Sequence, residues 1–508
     1  MAEQKDGTVY ASSESTLDAE RVTVVDSNTD PEKQIATQQT SDIPDPNIVF
    51  WDGEDDPQNP MNWTSKAKVL NCGAIISLTL LTPLASSMFA PGVPDVLREF
   101  KETSVTLAAF VVSVFLLGFA VGPLIISPLS EIYGRRPVYI VCNVGFIVFT
   151  VACAVAKSMS QLIVFRFFAG CFGVCPVTLA GASISDMIER EKRGGAMALY
   201  AMGPLLGPVI GPVAGAYLSS AEGWRWVFWL ITIAYGAASI LHFFVCKETY
   251  APALLQSKTT KLQKETNNTE LRSKLDDGLS ARERMSHALI RPFKLLIFSP
   301  IVLFMSIYTA VVYAILYLLF TTFTFVFEEH YHFSPSNVGL SYIAIGIGMF
   351  IGLILTGASS DRILKRLTAA NANTPKPEFR LPPLIACGIF MPIGLFIYGW
   401  TAQKHVQWAV PMLGTLFFGI GMMSCMICIQ TYLVDGFTVY AASAIAANTL
   451  LRSIVGGLLP LAGLDMYNTL GLGWGNSLIG FVALALLPIP VAFYFYGEKV
   501  RERFPVKL

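Results

Sequence analysis

Charge is what this chain has least of. Of 508 residues only 14% are Asp, Glu, Lys or Arg, while 53% are hydrophobic and the mean hydropathy is +0.54. Soluble domains carry about 25% charged residues, so a water-facing globule of this size is excluded. Histidine is nearly as scarce: five scattered residues supply no convergent set for hydrolytic or metal chemistry. The nine cysteines lie in or beside apolar runs, where a thiol behaves as a small packing group; Cys425 and Cys428, spaced C-x-x-C, have no histidine near them and read the same way. No Gly-Lys pair occurs, so there is no G-x-x-x-x-G-K-[ST] phosphate loop to drive a pump with ATP. The expectation is a chain that is not an enzyme, with no cofactor, no metal and no nucleic acid partner.

What is present is apolar length. Twelve runs of roughly 20 residues recur, each about long enough to cross 30 Å of hydrocarbon at 1.5 Å per residue. They cover approximately 69–90, 105–127, 138–156, 161–184, 196–218, 224–246, 301–327, 338–358, 383–401, 409–434, 438–462 and 475–496. The expected fold class is an all-α membrane protein of twelve transmembrane helices. Residues 1–65 carry fourteen acids against three bases and no apolar run, and are expected to be a disordered acidic tail without a secretory signal. With both termini in the cytoplasm, inner segments hold 26 basic residues and outer loops 4, the asymmetry that positive charge imposes on orientation. The net charge of zero sums an acidic tail and basic inner loops, and the N-x-T sequons at Asn62 and Asn267 fall on the inner side.

A polar connector separates the first six runs from the last six. This divides the chain into a tail (1–65), a six-helix bundle (66–246), the connector (247–297), a second six-helix bundle (298–497) and a short cytoplasmic tail (498–508). The halves share a detail. After the second run stands "PLSEIYGRRP" (128–137) and after the eighth "GASSDRILKR" (357–366); aligned on Ser130 and Ser360, both read serine, acid, three residues, two bases. Paired six-span halves are what a parallel repeat about the membrane normal produces.

"PLSEIYGRRP" resembles the loop signature of the major facilitator superfamily, "VFRFFAG" around Arg166 is similar to its fourth-span arginine motif, and "GPLLGPVIGPVAG" (203–215) resembles the fifth-span motif of its antiporters. "WDGEDDPQNPMNW" before the first span, "WRWVFW" (224–229), "KETYAPALL" (247–255), "YAILYLLF" (313–320) and "AANTLLRSIVGGLLP" (446–460) narrow the likeness to the twelve-span drug:proton antiporter family of fungal type, from about Trp51 onward. The resemblance implies a major facilitator fold of two pseudo-symmetric bundles. The second loop copy departs by lacking the glycine of the first.

Gly203, Gly207, Gly211 and Gly215 recur every fourth residue, with Pro204, Pro208 and Pro212 between them. On a helix the glycines form one small-residue face that admits another helix closely, and the prolines bend the span; the resemblance implies that this seam also seals the pathway. Arg166 and Arg452 lie inside spans, where a guanidinium costs about 2.5–3.5 kcal/mol. Each reads either as a site residue, for proton coupling or substrate, or as a structural one: Arg166 by snorkelling, Arg452 by helix packing. No carboxylate falls at the middle of a span. Asp186, Asp435, Glu131 and Asp361 sit at inner ends; Glu328, Glu329 and Asp465 sit at outer ends, and of these Glu328 and Asp465 join the arginines as coupling candidates. His242 reads as a packed histidine.

Glu131, Gly134, Arg135 and Arg136 with Asp361, Arg362 and Arg366 look like a cytoplasmic gate of acids and bases at helix ends. Tyr308, Tyr313, Tyr317, Gln430 and Asn448 are the candidates for a largely apolar substrate cavity. Trp224, Trp226, Trp400, Trp408 and Trp474 read as interfacial anchors. The expected function is secondary active transport, a proton-coupled efflux of hydrophobic or amphipathic organic compounds by alternating access. The alternative is a proton-linked importer or polyamine carrier of the same fold. The expected partners are a small organic molecule, protons and the lipid bilayer. The expected state is a monomer in the plasma membrane, with the vacuolar membrane as the alternative.

Overall fold

A computed structural model describes residues 47–189, 192, 194–276, 278 and 280–504. Helix dominates them. The first bundle comprises α1 (Ser65–Ser87), the short α2 (Val93–Phe100), α3 (Val105–Tyr133), α4 (Arg135–Ala154), α5 (Met159–Gly173), α6 (Cys175–Met187), α7 (Gly194–Glu222) and α8 (Arg225–Val245). The connector holds α9 (Ala251–Thr266) and α10 (Ala281–Phe298). The second bundle has α11 (Pro300–Glu329), a single turn at Pro335–Val338, α12 (Ser341–Ala370), α13 (Pro382–Cys387), α14 (Phe390–Gln403), α15 (Ala409–Gly436), α16 (Ala441–Leu458), α17 (Gly463–Leu486) and α18 (Pro488–Arg503).

Ten helical stretches among the described residues are long and apolar enough to span a membrane, and the bent α7 makes an eleventh. One of the ten, 441–503, has 63 residues, more than twice what a bilayer takes. It breaks into a 3-10 turn at Leu459–Ala462 and again at Gly471, whose φ of 75° only glycine adopts freely. It therefore holds two crossings, and the fold has the twelve expected.

Caps set where spans begin. Thr64, Ser104, Ser158 and Ser299 each offer a side-chain oxygen to a backbone N–H in the first turn of α1, α3, α5 and α11, relieving donors that lipid would leave unmatched. Two apolar cores form, one from residues 72–246 and one from residues 295–493 together with Leu116. Facing lipid are side chains such as Val141, Phe244, Ile354 and Phe481.

Three expectations change. Residues 50–63, assigned to a disordered tail, are held in place. Asp56 is buried, accepts backbone N–H groups from Asp52 and Gln58, and pairs with Lys258 of α9. Lys258 Nζ also reaches Asp52 Oδ1 at 2.6 Å and Phe50 O at 3.1 Å, strapping the segment to the connector. Residues 1–46 of that tail and 505–508 of the C-terminal one lie outside the described residues, and α18 runs to Arg503, past the expected end at 497. Trp224 is no interfacial anchor: it is buried, donates to Glu99 at 2.8 Å and stacks edge-on against Phe89. Trp226, Trp408 and Trp474 are exposed as anchors would be.

Candidate functional site

Gly203, Gly207, Gly211 and Gly215 of α7 all face α1. A Cβ on Gly203 would lie 3.1 Å from Leu80 N, one on Gly207 2.7 Å from Leu84 N, and those on Gly211 and Gly215 would run into Ser87 Oγ and Met88 O. Only hydrogen fits between the two backbones, and Ser87 Oγ donates to Gly207 O at 3.2 Å across them. With Pro204, Pro208 and Pro212 inside it, α7 bends by 40° between 195–204 and 206–222. The opposite face of α7 meets the second bundle: Val209 presses on Gly346, and Pro212, Val213 and Ala216 on Gly339. The glycine seam thus fixes α7 within its own bundle, and the residues between the glycines make the contact across.

Arg166 on α5 is fully enclosed. Its Nη2 donates to Ser86 O at 3.1 Å, one of the last carbonyls of α1, and to Val112 O of α3 at 3.5 Å. Its guanidinium lies over the rings of Phe89, Phe115 and Phe228 at 4.9 to 5.8 Å. It does not snorkel. It caps the negative end of a helix from within the core, where carbonyls and ring faces replace water. Its small cavity is lined by first-bundle residues alone, among them Thr150, Cys153 and Ile231. Its link to the other bundle runs through Ser86, whose Oγ lies 3.0 Å from Tyr317 OH.

The cavity of the second bundle lies between α11, α15 and α16. Thr309, Met426, Ile429, Gln430, Leu433, Ile445, Asn448, Thr449 and Arg452 line it. Asn448 donates to Thr309 at 3.3 Å, Arg452 stands 4.8 Å over the ring of Tyr313, and Tyr313 packs 5.1 Å from Tyr317. Gln430, Asn448, Tyr313 and Arg452 are thus brought together. Tyr308 points elsewhere, its hydroxyl toward Gly388 at the join of α13 and α14. On the side away from the connector, Ser113 Oγ donates to Gly457 O at 2.7 Å, and Leu116 and Leu117 pack on Gly456 and Gly457, closing α3 against α16.

On the connector side each bundle carries one arginine cluster. Arg135, at the start of α4, donates to Ser130 Oγ at 2.6 Å and pairs with Asp186 at the end of α6 at 3.4 Å. Arg380, just before α13, donates to Ser360 Oγ at 3.4 Å and pairs with Asp435 and Asp361, each at 2.8 Å. The serine ends the second span of each half, the arginine begins the third and the aspartate ends the fourth. The sequence repeat sets Lys365 against Arg135 and Arg366 against Arg136, but Arg362, Lys365 and Arg366 are exposed. The missing glycine explains the difference. Gly134, with φ of 92°, stops α3 and lets α4 begin at once, whereas α12 runs on to Ala370 and its arginine arrives only at 380.

Glu131 is exposed and lies near Tyr250, whose phenol is pushed up by burial and then by that carboxylate. The acid that holds the first cluster is Glu248, which sequence reasoning missed. Its two oxygens accept from the N–H groups of Arg135 and Arg136 at 2.8 and 2.9 Å, an anion on a helix N-terminus. Arg136 itself reaches Phe243 O at 3.1 Å. Glu248 stood inside "KETYAPALL"; nothing in the sequence pointed to Arg380.

The outer acids are not gathered into the cavity. Glu328 is half-buried at the end of α11, within reach of Arg98 and Asp95. Asp465 is exposed in the first turn of α17, where a carboxylate suits the helix dipole. His242 is buried against Tyr139 at 4.9 Å.

Comparison with known proteins gives one family. A family model described as Major Facilitator Superfamily matches residues 75–460. The chain is 56% identical over 459 residues to the MFS-type transporter penM of Penicillium rubens, covering 90% of each. It is 50% identical over 467 residues to the efflux pump radE of Floropilus chiversii, covering 91% of this chain and 87% of that one. Among solved structures it is similar to the xylose transporter XylE from E. coli in a partially occluded inward open conformation. The TM-score is 0.61 at 16% identity, over 85% of this chain and 98% of that chain. At that identity the likeness concerns fold alone.

Proposed function

Because this chain belongs to the major facilitator superfamily, we propose that it exports hydrophobic or amphipathic organic compounds in exchange for protons, by alternating access between its two bundles. The chain is a multi-pass membrane transporter and not an enzyme. The observation that supports the finer reading is the join between the bundles on the side away from the connector. Ser113 with Gly457 and Ser86 with Tyr317 join the bundles away from the connector, while the cavity around Gln430 and Arg452 lies between that seal and the two arginine clusters. Rocking the bundles breaks the first set of contacts and opens the cavity to the other side.

The basic asymmetry of the loops supports a cytoplasmic connector side with both termini there, and the plasma membrane is the membrane proposed. The likeness to a protein named an efflux pump supports export. The proton acts at the first arginine cluster: neutralising Asp186 weakens the charge-assisted pair with Arg135 that fixes a helix end. The polyamine alternative is disfavoured, since a polycation needs carboxylates and none lines the cavity.

The test is concentrative uptake of a panel of aromatic and terpenoid compounds into inside-out vesicles, with the proton gradient intact or collapsed by a protonophore. Uptake lost on collapse is expected. Uptake indifferent to the gradient contradicts proton coupling, and uptake running the other way contradicts export.

A further inference from the structure

The cavity between α11, α15 and α16 holds one charge, and it is positive. Arg452 Nη1 touches only Met426 Sδ at 3.8 Å, its Nε has no hydrogen-bond partner, and its plane rests over Tyr313. Among the described residues no carboxylate forms an ion pair with it. The other arginines at helix ends and in the core differ in what they hold, although Arg166 Nε is likewise without a partner. Arg135 and Arg380 each hold aspartates, and Arg166 has two carbonyls and three rings. A half-buried guanidinium without a carboxylate partner attracts an anion, and its flat fork matches the two oxygens of a carboxylate or the delocalised oxygens of an enolate.

The neighbours extend this recognition. Asn448 and Arg452 stand at i and i+4 on one face of α16, and the Asn448 amide is oriented by its bond to Thr309. Gln430 faces them from α15 and is exposed to the cavity, a free amide for a second oxygen. Ile429, Leu433 and Ile445 supply apolar wall beside the polar group.

We propose that the transported compound is an organic anion, an amphipath whose acidic oxygens rest on Arg452 and whose apolar body lies along α15 and α16. This rests on the transporter reading and names the class of its substrate. Membrane voltage then assists export, since an anion leaving a negative interior moves down the electrical gradient.

The test uses purified full-length protein at pH 7 with three probes of one shape: 1-pyrenebutyric acid, its methyl ester and the corresponding primary amine. Equilibrium binding is expected to favour the acid over the ester by at least tenfold, with the amine weakest. R452Q erases that preference while ester binding stays within about threefold, R452K keeps part of it as a point charge, and K404Q, outside the cavity, changes nothing. Q430L, which leaves the arginine in place, weakens the acid several-fold and spares the ester. Equal binding of the three, preference for the amine, no binding of the acid, or a preference that survives R452Q overturns the proposal. Uptake of the same probes into vesicles separates the two readings. Selective binding without gradient-driven movement removes the transporter reading and leaves the anion site; movement without selectivity does the reverse.

Discussion

Ser86 Oγ and Tyr317 OH lie 3.0 Å apart in a buried hydrogen bond that ties the first bundle to the second. The same serine's carbonyl receives Arg166, so the arginine of α5 steadies the element through which the bundles meet. Tyr317→Phe removes the bond and is expected to cost this closed arrangement about 1 kcal/mol. Spin labels at Thr106 and Leu459, on the closed side, should show a larger population at long distance in the variant. An unchanged distribution would mean that the bond does not hold the closure.

Arg166 cannot be replaced by lysine, because a single ammonium does not serve two carbonyls and three ring faces at once. Arg166→Lys and Arg166→Gln are both expected to lose most transport. Each loses thermal stability by an amount in the range of about 1.5–3 kcal/mol for a hydrogen bond to a charged group. Transport near the native rate in Arg166→Gln would make the residue dispensable.

The seam of α7 tolerates no side chain at Gly207, where the obstruction is backbone that cannot swing aside. Gly207→Val is expected to destabilise by about 1–3 kcal/mol through overpacking and to abolish efflux. Gly236 of α8 has nothing within 4 Å of its virtual Cβ, so Gly236→Ala is the control, expected to be neutral or to stabilise by about 0.4–1 kcal/mol. Equal damage by both would remove the packing argument.

Glu248 caps the start of α4, and its loss should cost about 0.5–2 kcal/mol, the range of helix N-caps. Gly134→Ala attacks the same place from the other side: its Cβ would sit 2.5 Å from Glu248 Oε2, on a backbone with φ of 92°. Thermal unfolding of Glu248→Ala, Gly134→Ala and the double variant checks this. The double variant should fall short of the sum, since both disturb one contact.

Asp56 makes the strap over the connector sensitive to acid. Backbone donors from Asp52 and Gln58, with Lys258 behind them, hold its carboxyl below the ordinary aspartate value. A depressed carboxylate stabilises the fold fully above the unfolded value of about 3.9 and loses that contribution as pH falls through the folded one. Limited proteolysis within 50–63 should therefore be slow and constant from pH 5 to 8 and accelerate only below about pH 4. Asp56→Asn should be cut readily throughout. Rapid cleavage of the native chain at pH 7 would contradict the strap.

Periodicity and charge asymmetry carried the twelve crossings and the division at the connector, because lipid demands long apolar helices and little else. Gly207 and Arg166 were legible for the same reason: a small-residue face and a buried charge are costly unless used. The partners were not. That Arg380 serves the second cluster, where the repeat sets Lys365 against Arg135, depends on where α3 and α12 stop. One glycine decides that, and the run-on of α12 moves the cluster's base from position 365 to position 380. Asp56 was hidden for the converse reason: an acidic, apolar-poor segment resembles a disordered one until a lysine more than 200 residues away pins it.

The most direct measurement follows two distances in one protein. Labels at Thr106 and Leu459 report the side closed here, and labels at Tyr133 and Thr438 report the connector side. Alternating access predicts reciprocal change on lowering pH or adding substrate, one distance lengthening as the other shortens. Two distances that stay fixed, or that grow together, would contradict it.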